Sequence, residues 1–178
     1  GVENALKFIA ELGRKEGFNV DRCDNYCTEI SFGEGKLISV FAHADVVPAT
    51  GKWNHDPFGA VIEKNIMYGR GTSDDKGPAM AAFYALKALK DNNIEFQNTE
   101  VGVIISGSEE AGLRGSSFWA EKHKEEFSDV PTFIYSYDTI FDPKYLMTNY
   151  RDLNGTVKVD KDVSDLFMEC AEELNIHC

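Results

Sequence analysis

The sequence predicts an α/β domain whose central sheet is mixed and largely parallel, with helices packed against it. Two observations lead to this fold class. Apolar stretches of strand length alternate with segments of helical periodicity, and several of these strands are apolar over nearly their whole length, as buried strands are. The chain has 178 residues, 43% of them hydrophobic, so residues 1–178 are predicted to form a single domain.

The first part of the chain contains one predicted helix and two predicted strand pairs. Apolar residues at helical spacing over residues 2–16, followed by Gly17, predict an amphipathic helix. The stretches TEISF and KLISVFA flank the turn GEGK, which predicts a β-hairpin whose second strand is central. The stretches AVIE and IMYGR, joined through Lys64-Asn65, predict a second pair of strands.

The second part of the chain continues the alternation of strands and helices. A segment rich in alanine and leucine, from Pro78 to about Asp91, predicts a buried helix. It is followed by the predicted strand EVGVIIS, a helix around SSFWAEKHKEEF, the strands PTFIYSY and LNGTVKV, and a helix from about Asp162 to Leu174. This order of elements is typical of α/β domains.

Charge and hydropathy limit the classes of partner. Thirty acidic residues against eighteen basic ones give a formal charge of −12, and no basic stripe is present, so nucleic acid is not an expected partner. No segment reaches the roughly 18 consecutive apolar residues that a membrane helix needs. The N-terminus shows no signal-peptide pattern, so membrane association is not expected and a cytoplasmic location is predicted. Nothing in the sequence indicates an oligomeric state.

The four cysteines are interpreted as reduced, structural side chains. They are too few for a disulfide scaffold. The pair Cys23 and Cys27 has no second cysteine pair and no histidine nearby in the sequence with which to form a zinc knuckle.

Polar side chains gather where four predicted strands end. One histidine and six carboxylates follow these strands: His43, Asp45, Asp74, Asp75, Glu109, Glu110 and Asp138. Because open α/β sheets bind ligands at the carboxyl ends of their strands, we expect one common site. Clustered carboxylates repel one another unless cations are bound, and mixed imidazole and carboxylate ligands suit zinc, manganese or cobalt better than calcium. A carboxylate that bridges two ions would account for so many acidic groups.

Each polar group, taken alone, also has a purely structural explanation. His43 could be a hydrogen-bonded residue at a strand end, Asp75 could cap the helix that follows, and Glu109-Glu110 could be a solvated turn. Asp45 lies two residues from His43, on the same face of a strand, so its carboxylate could hold the imidazole ring of a metal ligand. The recurrence of such groups at strand ends favours a metal site.

Three motifs carry a family resemblance: HADVVP at 43–48, GRGTSDDKGP at 69–78 and SGSEEAGLRGS at 106–116. In order and spacing they resemble those of the co-catalytic metallopeptidase family that includes zinc dipeptidases, glutamate carboxypeptidase, acetylornithine deacetylase and aminoacylase. The resemblance extends from about Gly17 to Asp138 and implies a zinc-exopeptidase-like catalytic domain. No lid-domain sequence is evident after Asp138, so the chain is expected to be part of a catalytic domain.

The resemblance implies a set of ligands for two zinc ions, with manganese or cobalt as alternatives. His43 and Asp138 would bind the first ion, Asp74 would bridge both, and Glu110 would bind the second. Members of the family carry a further histidine as the last ligand of the second ion, and no residue here matches it. His177 is interpreted as a residue of the last helix.

The resemblance also implies the catalytic roles. Glu109 would be the general base, Asp45 would orient His43, and the Asp74-Asp75 peptide bond would be cis. The predicted function is the hydrolysis of the amide bond of dipeptides or short peptides by a water activated by two metal ions. Two alternatives stay open at this point: an N-acyl amino acid deacylase of the same family, and a non-catalytic metal-binding or interaction domain.

The sequence contains two further histidines. His55 and His123 stand in polar stretches of the sequence, so both are interpreted as surface residues.

Overall fold

The structure is a computed structural model that describes residues 1–127, 133–136 and 161–175. It divides into two units, Gly1–Thr139 and Ile140–Cys178. The second unit contains a helix, α4, at Lys161–Glu173. The described helices and strands of the first unit are α1 (Val2–Lys15), β1 (Asn19–Asp21), a 3₁₀ helix (Cys23–Asn25), β2 (Cys27–Gly33), β3 (Lys36–His43), β4 (Val61–Glu63), β5 (Ile66–Tyr68), α2 (Lys76–Asp91), β6 (Thr99–Ser106), α3 (Arg114–Phe127) and β7 (Phe133–Ser136).

The central sheet is mixed, with the strand order β1-β2-β6-β3-β7. Strand β3 runs parallel to both β6 and β7, whereas β2 runs antiparallel to β6 and to β1. Helices pack against this sheet, so the predicted α/β class with a mixed central sheet is confirmed, and the sheet is partly parallel.

The predicted hairpin between TEISF and KLISVFA is wrong. Strand β6 lies between them, because Val103 pairs with Ile30 of β2 on one side and with Val40 of β3 on the other. Residues 101–106 of β6 are all buried, which favours a position with a neighbouring strand at each edge. The loop that joins β2 to β3 passes over the start of β6 at Gly35. The φ of Gly35 is +126°, and its Cα faces the backbone of Asn98 so closely that no Cβ would fit.

The other strand pair has the predicted form. Strands β4 and β5 make a separate two-stranded antiparallel sheet. The two residues between them, Lys64 and Asn65, both have positive φ, as a two-residue hairpin turn of this kind requires.

The predicted helices also form, with small shifts at their ends. Helix α2 begins at Lys76, two residues before the predicted start, because Pro78 is tolerated in a first helical turn. Its buried residues recur at helical spacing and pack in the core with residues of β3 and β6: Ala79, Ala82, Phe83 and Leu86. The predicted strand LNGTVKV lies outside the described residues. Among the described helices, none combines the length and apolarity needed to cross a membrane.

Candidate metal centre

The parallel pairing of β3 and β6 brings two motifs together. His43, the last residue of β3, is in register with Ser106, the last residue of β6, and the N–H of Ala44 donates to the carbonyl oxygen of Ser106 at 2.9 Å. The loop that follows β6 carries Glu109 and Glu110. The possible ligand atoms of His43, Glu109 and Glu110 all lie within 4.8 Å of one another.

Asp74, which lies just before α2, also contacts the imidazole of His43. Its Oδ1 lies 3.1 Å from Nε2 of His43, and its side chain is 42% exposed, so its oxygens are accessible to a ligand. The Asp74-Asp75 peptide bond is cis, as the resemblance implies. Asp74 follows β5, which belongs to the two-stranded sheet and not to the central sheet.

Asp75 anchors the end of β3 to the start of α2. It is fully buried, and its Oδ2 accepts a hydrogen bond from the backbone N–H of His43 at 2.8 Å. Asp75 occupies the N-cap position of α2, but within the described part of the chain its side chain makes no capping hydrogen bond. The explanation of Asp75 as a side-chain cap is therefore wrong, since its carboxylate binds the strand that carries His43.

Asp45 contacts both the imidazole ring of His43 and the loop that carries Glu109 and Glu110. Its backbone carbonyl oxygen lies 3.1 Å from Nδ1 of His43, while its carboxylate Oδ1 is 3.6 Å from that nitrogen. The carboxylate accepts hydrogen bonds from the backbone N–H groups of Glu109, at 3.0 Å, and Glu110, at 3.1 Å. The imidazole is thus contacted by the backbone of Asp45, whereas its carboxylate holds the loop that carries the two glutamates.

The orientation of the His43 ring leaves one nitrogen for a ligand. A proton on Nδ1 can be donated to the carbonyl oxygen of Asp45, which leaves the lone pair of Nε2 directed towards Asp74. Oε2 of Glu109 lies 3.8 Å from the same Nε2. A histidine whose second nitrogen bonds to a backbone carbonyl is held as metal-ligating histidines are.

The site is electrically negative around a buried imidazole. Burial by itself lowers the pKa of His43. Three neighbouring carboxylates outweigh burial and raise the pKa of His43 above its ordinary value: Asp75, Glu109 and Asp45. Negative charge of this density around one imidazole favours a cation, and the imidazole and carboxylate donors fit a divalent metal ion such as zinc.

The remaining candidate residues fall in different places. Asp138 and His177 lie outside the described residues. His55 is partly buried and lies beside Tyr68, with 4.3 Å between ring centroids, and 3.9 Å from Glu63. The interpretation of His123 as a surface residue is wrong, because its side chain is only 12% exposed and its ring stacks on Trp119.

The family follows from the sequence motifs together with this geometry. Residues 40–172 match the peptidase family M20/M25/M40, and the chain belongs to this family. It is 41% identical over 142 residues to "Putative dipeptidase YtjP" of Bacillus subtilis (strain 168) and 32% identical over 142 residues to "Putative dipeptidase SH1171" of Staphylococcus haemolyticus (strain JCSC1435). Each match covers 79% of this chain and 29% of the relative, so the chain spans less than a third of the length of these proteins.

Solved structures show the same fold. The structure of human carnosine dipeptidase 1 matches with a TM-score of 0.67 at 24% identity, over 83% of this chain and 35% of that protein. The M20 family metallo-carboxypeptidase Sso-CP2 from Sulfolobus solfataricus matches with a TM-score of 0.65 at 25% identity, over 81% of this chain and 34% of that protein. The chain therefore corresponds in fold to part of these enzymes.

Proposed function

We propose that the protein to which this chain belongs is a metal-dependent peptidase that hydrolyses the amide bond of dipeptides or short peptides. One observation carries the proposal: Nε2 of His43 lies 3.1 Å from a carboxylate oxygen of Asp74 and 3.8 Å from one of Glu109, although the three residues come from separate motifs. The choice of short peptides rests on the two curated relatives, both of which bear the name dipeptidase.

The proposed ligands would hold two zinc ions, and manganese or cobalt would suit the same donors. His43 would hold one ion, Glu110 the other and Asp74 both, and the resemblance adds Asp138 as a ligand of the first ion. The 42% exposure of the Asp74 side chain beside His43 supports the bridging role, because its carboxylate is accessible to ions. When bound, such ions lower the pKa of a water molecule and polarise the substrate carbonyl.

The chain itself supplies the general base. Glu109 takes a proton from the attacking water on its carboxylate and passes it to the nitrogen of the leaving amine. Its side chain is 29% exposed and lies beside His43, which supports access to both water and substrate. Asp45 binds the N–H groups of Glu109 and Glu110 and so fixes the loop on which one glutamate acts as base and the other as ligand.

Hydrolysis assays on the full-length protein test this function. We expect release of free amino acids from unblocked dipeptides, loss of that activity with a chelator, and its return when zinc, manganese or cobalt is added back. Faster hydrolysis of N-acyl amino acids than of dipeptides would instead identify a deacylase. A protein that binds metal but hydrolyses neither substrate would contradict the enzymatic assignment.

A further inference from the structure

A second cluster of metal-ligating side chains shares no residue with the metal centre described above. It consists of Asp21 at the end of β1, Cys23 in the 3₁₀ helix and His123 in α3. The possible ligand atoms of these three residues lie within 4.8 Å of one another. The histidine that is missing near Cys23 in the sequence is thus supplied by a helix that follows β6.

The thiol of Cys23 lies in a protected environment with one accessible side. Cys23 is fully buried in a core cluster with four other residues: Cys27, Leu37, Ile104 and Trp119. The side chain of Asp21 is 51% exposed, so the cluster meets solvent there. A hydrogen bond from Cys27, helped by His123 and Lys122, holds the pKa of the Cys23 thiol below its usual value despite burial. The thiolate, which is the form that binds metal ions, therefore forms more readily than at an ordinary cysteine.

His123 is oriented in the manner of a metal ligand. Its Nδ1 lies 2.8 Å from Oε2 of Glu126, and its ring stacks on Trp119 with 4.7 Å between centroids. The indole N–H of Trp119 in turn donates to Oε2 of Glu29 at 2.7 Å. A carboxylate on one ring nitrogen is the usual support of a histidine that binds metal through the other.

The ammonium group of Lys122 lies beside the donor atoms of this cluster. Nζ of Lys122 lies 2.6 Å from Oδ2 of Asp21 and 3.7 Å from Sγ of Cys23. The donors therefore attract positive charge, and the ammonium group is the competitor that a metal ion would have to displace. Because Lys122 is on the surface of α3 with a side chain that is 39% exposed, it can move into solvent.

We propose that Asp21, Cys23 and His123 bind one divalent transition-metal ion, with zinc or cobalt as the matching chemistry. One sulfur, one nitrogen and one oxygen donor form a ligand set that suits these ions, and a water molecule can complete four-coordination. Binding removes the thiol proton of Cys23 and displaces the ammonium group of Lys122 from Asp21. The site is independent of the proposed peptidase function.

Titration of the purified protein with cobalt(II) tests the site. Thiolate bound to cobalt produces a charge-transfer band in the near ultraviolet, whereas the centre around His43 offers only nitrogen and oxygen donors. We expect the final intensity of the band to correspond to one thiolate-bound cobalt per chain, the band to remain in His43→Ala and Cys170→Ser, and the band to be lost in Cys23→Ser. Absence of the band in the unmodified protein, or its survival in Cys23→Ser, would overturn the proposal.

Surface variants provide a test that does not depend on altering the buried thiol. Glu126→Gln should weaken cobalt binding roughly 10–100-fold, the usual effect of removing the carboxylate behind a ligating histidine. Glu121→Gln is the matched control, since Glu121 is exposed on the same helix and contacts Lys124. Lys122→Met should lower the dissociation constant by removing the competing cation. Equal affinity in Glu126→Gln and Glu121→Gln would show that His123 is not a ligand.

Discussion

The carboxylate of Asp45 accepts a hydrogen bond from the backbone N–H of Glu109, with 3.0 Å between the two atoms. Its second oxygen binds the N–H of Glu110 in the same way. Asp45 is only 7% exposed, so this pair of hydrogen bonds is shielded from water. The contact joins the end of β3 to the loop after β6 and thereby sets the position of both glutamates relative to His43.

Replacement of Asp45 by alanine is expected to weaken zinc binding roughly 10–100-fold, because the loop that carries Glu109 and Glu110 loses its support. Calorimetric titration of the metal-free protein with zinc measures this effect. Asp56→Ala is the control, since Asp56 also accepts a backbone hydrogen bond, from Phe58, but lies on an exposed turn. Equal zinc affinity in the two variants would contradict the positioning role of Asp45.

Asp74 and Asp75 are adjacent in the chain but are expected to respond to substitution in opposite ways. Asp75→Ala leaves the N–H of His43 without its carboxylate acceptor in the protein interior and should lower the free energy of unfolding of the metal-free protein by about 1–3 kcal/mol. Asp74→Ala should leave that free energy nearly unchanged or raise it, since one of several mutually repelling carboxylates is removed.

Urea unfolding in the presence of a chelator, followed by zinc titration, separates the two residues. We expect Asp74→Ala to lose the binding of both ions together, because Asp74 is proposed to bridge them, whereas His43→Ala should weaken mainly one. Two ions bound with unchanged affinity in Asp74→Ala would be incompatible with a bridging carboxylate.

Glu29 is expected to make the stability depend on pH. Burial raises the pKa of this carboxyl above its ordinary 4.5, although the hydrogen bond from Trp119 acts in the opposite direction. Below pH 4.5 the carboxyl of Glu29 is protonated in both the folded and the unfolded chain. As the pH rises through the folded-state pKa, the folded protein must hold a charged carboxylate in a partly buried position, so the free energy of unfolding falls. Glu29→Gln should therefore stabilise the protein at neutral pH but not below pH 4.5.

Urea unfolding of metal-free protein across this pH range measures the effect of Glu29→Gln. Glu34→Gln serves as the control, because Glu34 lies exposed in the turn between β2 and β3. If Glu29→Gln were destabilising at every pH, the ionised carboxylate would have to be a net stabilising partner of Trp119.

Local sequence patterns predicted most of the elements but not the order of the strands. Helix α2 and the β4-β5 turn follow from the side chains of a few consecutive residues, such as Lys64 and Asn65, and both form as predicted. The pairing of β2 with β6 depends instead on which strand buries the most apolar surface, a property of the whole sheet. The short turn GEGK therefore suggested a hairpin, which the position of β6 between β2 and β3 rules out.

The candidate site shows the same division between local and distant information. The motifs identified His43, Asp74 and Glu109 because each stands in a recognisable stretch of sequence. The hydrogen bonds from Glu109 and Glu110 to Asp45 join residues separated by 64 and 65 positions. The residues next to Asp45 in the sequence therefore give no indication of these bonds. The approach of His123 to Cys23 was missed for the same reason, since only the packing of α3 on the sheet brings them together.

The comparison of Glu109→Gln with Glu110→Gln tests the central claim, that adjacent glutamates serve one metal-dependent hydrolytic site in different roles. Metal content and dipeptide turnover are measured on the same preparation of each full-length variant. We expect Glu109→Gln to keep its metal and lose turnover by roughly 10²–10⁴-fold, the usual contribution of a general base, and Glu110→Gln to lose one ion. Near-normal turnover in Glu109→Gln, with its metal bound, would contradict the account.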